Sequence, residues 1–209
     1  MERDAEHVNA RLAARVRTLR AGRGLTLDGL AERAGVSRSM ISLVERGESS
    51  PTAAVLDRLA AGLGVTLASL FAEAERADAP PLVRRADQAT WRDPETGYVR
   101  RNLSPPGVPS PIELVEVELP AGARVAYDLA RTTSLVGVSQ QVWLLAGELE
   151  LTVGGTTHRL SVGDCLAMRL DGPTAFRNPA DAPARYLVAL ALDPTPGRPA
   201  PPLTRRSAL

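Results

Sequence analysis

The stretch LAERAGVSRSMISLVERG, Leu30 to Gly47, decides how the front of this 209-residue chain folds. Apolar residues recur at helical spacing on either side of Gly35: Leu30 and Ala31 before it, Ile41 and Val44 after it. A glycine between two such runs is the residue a chain uses to end one helix and turn sharply into the next. Ser37 follows as a side chain able to cap the second helix, which then runs to Glu45. That second helix points Arg and Ser outward where a buried helix would carry more apolar residues, so its outer face is available for contact.

The reading extends in both directions. Upstream, Val8, Leu12, Val16 and Leu19 repeat at helical spacing and Gly22 or Gly24 ends the run. Thr26 is placed to cap a helix from Leu27 to Ala34. Downstream of GESSP, Val55, Leu56, Leu59 and Leu63 define a fourth helix ending at Gly64, and Thr66 caps a short fifth, LASLF. The front of the chain therefore reads as a compact domain of five short helices, residues 1–72.

At Glu73 the texture changes. The charged, proline-ended EAERADAPP begins a linker over 73–86. Residues 87–193 then hold short runs that alternate or are rich in β-formers: YVRRNL, IELVEVEL, QQVWLL, ELELTV, THRL, CLAM and RYLVALAL. Between two of them Gly154-Gly155 supplies the positive φ of a tight hairpin. Many short strands joined by such turns predict an all-β sandwich or closed barrel. The proline-rich residues 194–209 read as a flexible tail.

Composition narrows the function. At 44% hydrophobic and 23% charged, the chain has the balance of a soluble globular protein. It contains no apolar run of the roughly 18–20 residues that span a bilayer. Its first residues, MERDAEHVNARLAARV, lack the basic and then greasy pattern of a signal peptide, so a cytoplasmic location without membrane partners is expected. A single cysteine, Cys165, excludes an internal disulfide, and it reads as a small buried strand residue. Only His7 and His158 offer imidazole. All 25 basic residues are arginine. Although the net charge is +1, residues 8–50 carry eight arginines (Arg11, Arg15, Arg17, Arg20, Arg23, Arg33, Arg38 and Arg46) against four acids (Asp28, Glu32, Glu45 and Glu48), a local excess of +4. That excess suits a polyanion, and equally a solvated helix surface.

The pattern LAxxxGVSxxxISxxExG, continued by GESSPTAAVLDRLAAGLGVTLASLF, resembles the helix-turn-helix of Xre/Cro/C1-type regulators from about Val8 to Phe71. The resemblance implies that the helix after Ser37 enters the DNA major groove. Arg38, Ser39 and Ser42 would then read base edges, Leu43 would touch a thymine methyl, and Ser37 would combine capping with a phosphate contact. Arg11, Arg15 and Arg46 complete the expected DNA-binding set. The resemblance also pairs Arg20 with Glu45 as a mainly structural contact. Members of the family commonly carry Gln where Leu27 stands, so a contact from that position is not carried over.

The strand region, through QVWLLAGELELTVGGTTHRLSVGDCLAMRLDGPTAFRNP, resembles the cupin superfamily of double-sheet barrels, with Gly147, Gly163, Asp164 and Asn178 at matching turns. Aligned to the cupin metal motif, Gln140 takes the glutamate position and the first histidine positions fall within Thr133, Ser134, Leu135 and Val136. Arg169, Asp171 and Thr174 take the proline, glycine and last histidine positions. No metal site and no cofactor are expected, because neutral Gln and Thr are poor ligands for a first-row metal. A pocket lined by Gln140, Val142, Leu144 and Thr174 would instead take a small-molecule effector, while Trp143 points to the opposite face. His158 is expected to be exposed on its hairpin.

Together these readings imply a non-enzymatic transcriptional regulator, of repressor type, that binds a palindromic double-stranded operator as a homodimer. The alternative is a cupin metalloenzyme of the phosphonate epoxidase type with an appended helix-turn-helix.

Overall fold

The computed structural model describes residues 2–72, 76–127, 138–170 and 172–192. Five helices come first: α1 (Glu2–Gly22), α2 (Leu27–Ala34), α3 (Arg38–Glu45), α4 (Ala53–Leu63) and α5 (Leu67–Phe71). Helices as short as these form only with help from capping and packing. The Thr26 hydroxyl accepts from Gly29 N at 3.0 Å, Ser37 from Met40 N at 3.2 Å, Thr52 from Val55 N at 3.4 Å and Thr66 from Ser69 N at 3.0 Å. Each satisfies an amide that the first helical turn would leave orphaned. Inward faces carry Leu12, Val16, Leu30, Ile41, Val44, Leu56, Leu59 and Leu63, all almost fully buried.

A single 3-10 turn (Arg85–Asp87) leads into ten strands. They are β1 (Thr90–Arg92), β2 (Val99–Asn102), β3 (Ile112–Leu119), β4 (Arg124–Tyr127), β5 (Val138–Ala146), β6 (Leu149–Val153), β7 (Thr156–Leu160), β8 (Cys165–Arg169), β9 (Thr174–Arg177) and β10 (Ala184–Leu192). One sheet runs β1-β2-β3-β10-β5-β8 and the other β4-β9-β6-β7, all antiparallel. The period of two sorts β5 cleanly: Val138, Gln140, Val142 and Leu144 are buried, whereas Gln141 and Trp143 face out. The β6–β7 hairpin turns at Gly154 and Gly155, with φ of +55° and +86°, as their sequence predicts.

Three strands differ from the sequence reading, which did not anticipate β1, β4 or β9. Each has three or four residues, too short for alternation to register. Cys165 also departs from expectation: it is exposed, because β8 lies at the sheet edge and Cys165 shares with Trp143 the outward side of the β5–β8 pair. His158 is exposed as expected. The predicted tail over 194–209 lies outside the described residues, as do Glu73–Ala74–Glu75 of the predicted linker. Among the described residues no helix is long and apolar enough to cross a membrane.

The helices are not tethered loosely to the barrel. Phe71 of α5 packs on Trp91 of β1 with ring centroids 5.6 Å apart, and Trp91 meets Tyr98 edge-on at 5.6 Å. Asp93, buried just after β1, accepts from Ala53 N at the start of α4 at 2.9 Å and also from Thr96 N at 2.9 Å. Asn102 Nδ2 of β2 donates to the Phe71 carbonyl at 3.4 Å. One continuous apolar core results.

Within the helical part, α2 and α4 approach so closely at Gly62 that a β-carbon there would lie 2.9 Å from Ala34 N and Cβ and 3.0 Å from its Cα. Gly62→Ala should therefore lower stability to urea by about 1–3 kcal/mol, outweighing the ~1 kcal/mol that alanine gains in helix propensity. Gly22→Ala, whose added carbon meets nothing within 4 Å, should be neutral or stabilising in the same measurement.

Candidate functional site

Helix α3 has a buried side and an exposed first turn. Ile41 and Val44 point inward at 0% and 2% exposure, and Glu45 at its last residue is buried at 7%. Burying a carboxylate is costly unless it is paired, and Arg20 of α1 pairs it twice: Nε to Oε1 at 2.6 Å and Nη2 to Oε2 at 2.8 Å. Nη1 of the same guanidinium donates to the Leu25 carbonyl at 2.8 Å. The Glu45 hydrogen bonds hold the Arg20 guanidinium above its ordinary pKa, against the opposing effect of burial.

With its C-terminal end fixed, α3 presents Ser37, Arg38 and Ser39 to solvent. Ser37 Oγ caps Met40 N and lies 3.1 Å from Ser39 Oγ. Arg38 Nε stands 3.4 Å from Asp28 Oδ1, with both side chains more than half exposed. A solvent-exposed pair of this kind is worth little, and a stronger acceptor would displace it. Ser42 and Leu43 are half-buried, and the Ser42 hydroxyl accepts from Arg46 Nη1. Arg46 itself forms a two-pronged pair with Glu48, at 2.7 and 2.8 Å, so its charge is partly answered within the chain.

Arg11 and Arg15 lie elsewhere, which revises the role expected of them. They line a cavity between the helices and the barrel, where Arg15 is bonded to α5, and so turn toward the barrel rather than extending the surface beside α3. Arg17 was not singled out from the sequence. It lines a groove with Asn9, Ala13 and the Glu45–Ser50 segment, and its position three residues before Arg20 on one helix was the available signal.

In the barrel, Gln140 and Thr174 are buried at 6% and 4% and line a small internal cavity of about 70 Å³. Val142 and Leu144 were expected beside them. Both are fully buried, but they pack into the core beyond the cavity instead of lining it. The lining includes three tyrosines. Tyr127 Oη donates to Tyr98 Oη at 3.3 Å, and Tyr186 stacks on Phe176 at 5.6 Å. Burial raises the pKa of all three phenols, most strongly for Tyr127 and Tyr186, so they remain neutral hydrogen-bonding groups. Asp57 and Thr66 from the helical part close one side of this cavity.

The donor set does not fit a metal. Gln140 and Thr174 offer a neutral amide and a hydroxyl, and Asn178 is fully committed: its Nδ2 donates to the carbonyls of Leu119, Pro120 and Ala182, and its Oδ1 accepts from Ala180 N. Among the described residues no group of three or more His, Cys, Asp and Glu side chains could hold an ion. Thr133 to Val136 and Asp171 lie outside the described residues.

Residues 16–70 match the family described as helix-turn-helix, and residues 138–190 match the cupin domain family. The chain thus carries a helix-turn-helix segment followed by a cupin segment. Over 167 residues this helix-turn-helix–cupin protein is 29% identical to the HTH-type transcriptional regulator SutR of Escherichia coli (strain K12), covering 80% of this chain and 86% of SutR. The HTH-type transcriptional regulator PuuR of the same strain is 25% identical over 176 residues, 84% of this chain and 91% of PuuR. Among solved structures, an HTH_3 family transcriptional regulator from Vibrio cholerae superposes with a TM-score of 0.69 at 25% identity, covering 90% of this chain and 98% of that one.

Because Arg20 answers a buried charge, Glu45→Gln in this helix-turn-helix–cupin protein should cost about 3 kcal/mol in chemical unfolding. An exposed pair such as Arg46–Glu48 supplies the contrast: Glu48→Gln should leave the unfolding midpoint essentially unchanged.

Proposed function

We propose that this protein is a sequence-specific transcriptional regulator that reads an operator in double-stranded DNA with the first turn of α3. The observation that carries the reading is the exposed Ser37–Arg38–Ser39 turn on a helix whose other end is locked by Arg20 and Glu45. Arg38 makes a bidentate contact to guanine, Ser39 and Ser42 bond base edges or phosphates, and Leu43 lies against a thymine methyl. Ser37 and the start of α3 receive a phosphate, as a capped helix N-terminus does. Arg17 and Arg46 hold the flanking backbone, with Arg46 exchanging Glu48 for phosphate.

An eight-residue helix is about 12 Å long, enough to read only a few base pairs. Useful specificity therefore calls for two copies on a palindrome, with half-sites about 34 Å apart. The cupin domain supplies the pairing surface, for which the outward-facing Trp143, 47% exposed, is the apolar candidate. Its internal cavity takes a small effector through Gln140, Thr174 and the neutral phenols. A tenfold change in operator affinity needs about 1.4 kcal/mol of coupling between the two sites. The protein acts by binding rather than by catalysis, and it works in the cytoplasm as a repressor.

Selection of bound fragments from random duplex DNA should yield a two-fold symmetric site; recovery of no enriched sequence would defeat the reading. Arg38→Ala should lose about 1–3 kcal/mol of discrimination at one position of each half-site. Arg17→Ala should weaken all sequences alike and shallow the salt dependence by about one unit of log–log slope. Competition binding across a salt series separates the two.

A further inference from the structure

Between the helices and the barrel lies a cavity of about 550 Å³, well above the volume inside the barrel. It falls within the roughly 300–1,000 Å³ typical of small-molecule sites. Its walls come from both parts of the chain: Arg15, Ser69 and Phe71 from the helices, Arg100 and Asn102 from β2, Glu113 from β3. Arg100 is the unusual member. It is 6% exposed, its guanidinium lies 5.2 Å from the centre of the Phe71 ring, and its Nε and Nη2 are buried without a hydrogen-bond partner.

A buried guanidinium is normally answered by a carboxylate, because leaving charged donors unpaired in a protein interior is costly. Among the described residues an aromatic face meets it and no acceptor bonds its Nε or Nη2. Burial raises the pKa of the nearby carboxylate, Glu113, while Arg100 and Arg15 act in the opposite direction. Arg15 spends Nε on the Ser69 carbonyl and keeps its charge at the cavity wall. Arg15 and Arg100 stand with Asp87 and Glu113 around this space. Apolar surface from Phe71 and Val83 completes the lining, which suits an organic anion better than a bare inorganic one.

We propose that this seam between the helical and cupin domains binds a small organic carboxylate whose charge is answered by Arg100 and Arg15 at its wall. The site is distinct from the barrel interior and does not depend on any operator being bound. A ligand seated there touches α1, α5, β2 and β3 at once.

The test uses the full chain without DNA and the probes benzoate, hexanoate and succinate, with benzamide as the uncharged counterpart of benzoate. Calorimetric titration and thermal unfolding should show saturable binding and stabilisation by at least one carboxylate and none by benzamide. Arg100→Gln should weaken that binding at least about tenfold. Arg15→Gln, which does not touch the barrel interior, should weaken it about threefold, and Glu113→Gln should tighten it by a similar factor. Saturable binding by none of the three carboxylates overturns the proposal, as does binding that benzamide matches. A loss seen with Arg100→Gln but not with Arg15→Gln also overturns it, because Arg100 borders both cavities and the ligand would then sit inside the barrel. Should Arg100→Gln fail to fold, the opposite shifts at Arg15 and Glu113 decide the matter.

Discussion

The exposed face of α3 depends on one buried carboxylate. Glu45 ends an eight-residue helix that could not persist alone, and its charge is tolerated at 7% exposure because Arg20 reaches across from α1 with two hydrogen bonds and spends a third nitrogen on the Leu25 carbonyl. The same guanidinium thus ties together α1, the loop before α2 and the end of α3. Fixing the end fixes the direction in which the first turn projects. The exposed Ser37, Arg38 and Ser39 are left with weak local partners that a nucleic acid can replace. A hydrophobic anchor at position 45 would hold the helix too, but without the directionality that a two-pronged bond imposes.

Most of the helical part was legible because its signals are local. A threonine or serine before each of α2 to α5, a glycine after α2 and α4, and apolar residues at helical spacing each act over a few residues, and the bounds of α2, α3 and α5 follow from them. Strands β3 and β10 were legible for a similar reason, since eight or nine residues give alternation room to register. Strands β1, β4 and β9 owe their existence to partners distant in sequence: TWR becomes a strand because VRRN pairs with it, and Trp91 is buried because Phe71 and Tyr98 are there.

The outward face of the first turn of α3 was legible. Facing direction on α1 was harder, because arginines at 11, 15 and 17 look alike in composition and differ only in which neighbour the fold brings to them. Two of them face the barrel and one faces the α3–α4 segment. In β5, period two correctly placed Gln140, Val142 and Leu144 on one face, yet only depth along the barrel axis decides which of the three reaches the cavity. Alternation carries no information about depth.

Domain recognition by sequence also understates how the two parts are joined. The first amide of α4 is satisfied by Asp93, a barrel residue at 1% exposure, which places a carboxylate at the positive end of a helix-turn-helix helix. Tyr98 just before the adjoining strand, and Arg100 and Asn102 on it, each touch the helical part or a cavity that the helical part closes. Strands β1 and β2 therefore form the mechanical link. A shift of these strands relative to β3 would disturb the α4 cap, the Phe71–Trp91–Tyr98 stack and the wall of both cavities together. Coupling free energy is reciprocal, so whatever settles the arrangement of β1 and β2 biases the helices, and anything that settles the helices biases the cavities by the same amount. The chain needs no long-range relay for this, because the helix cap and the ligand-facing side chains are a few residues apart on one short hairpin.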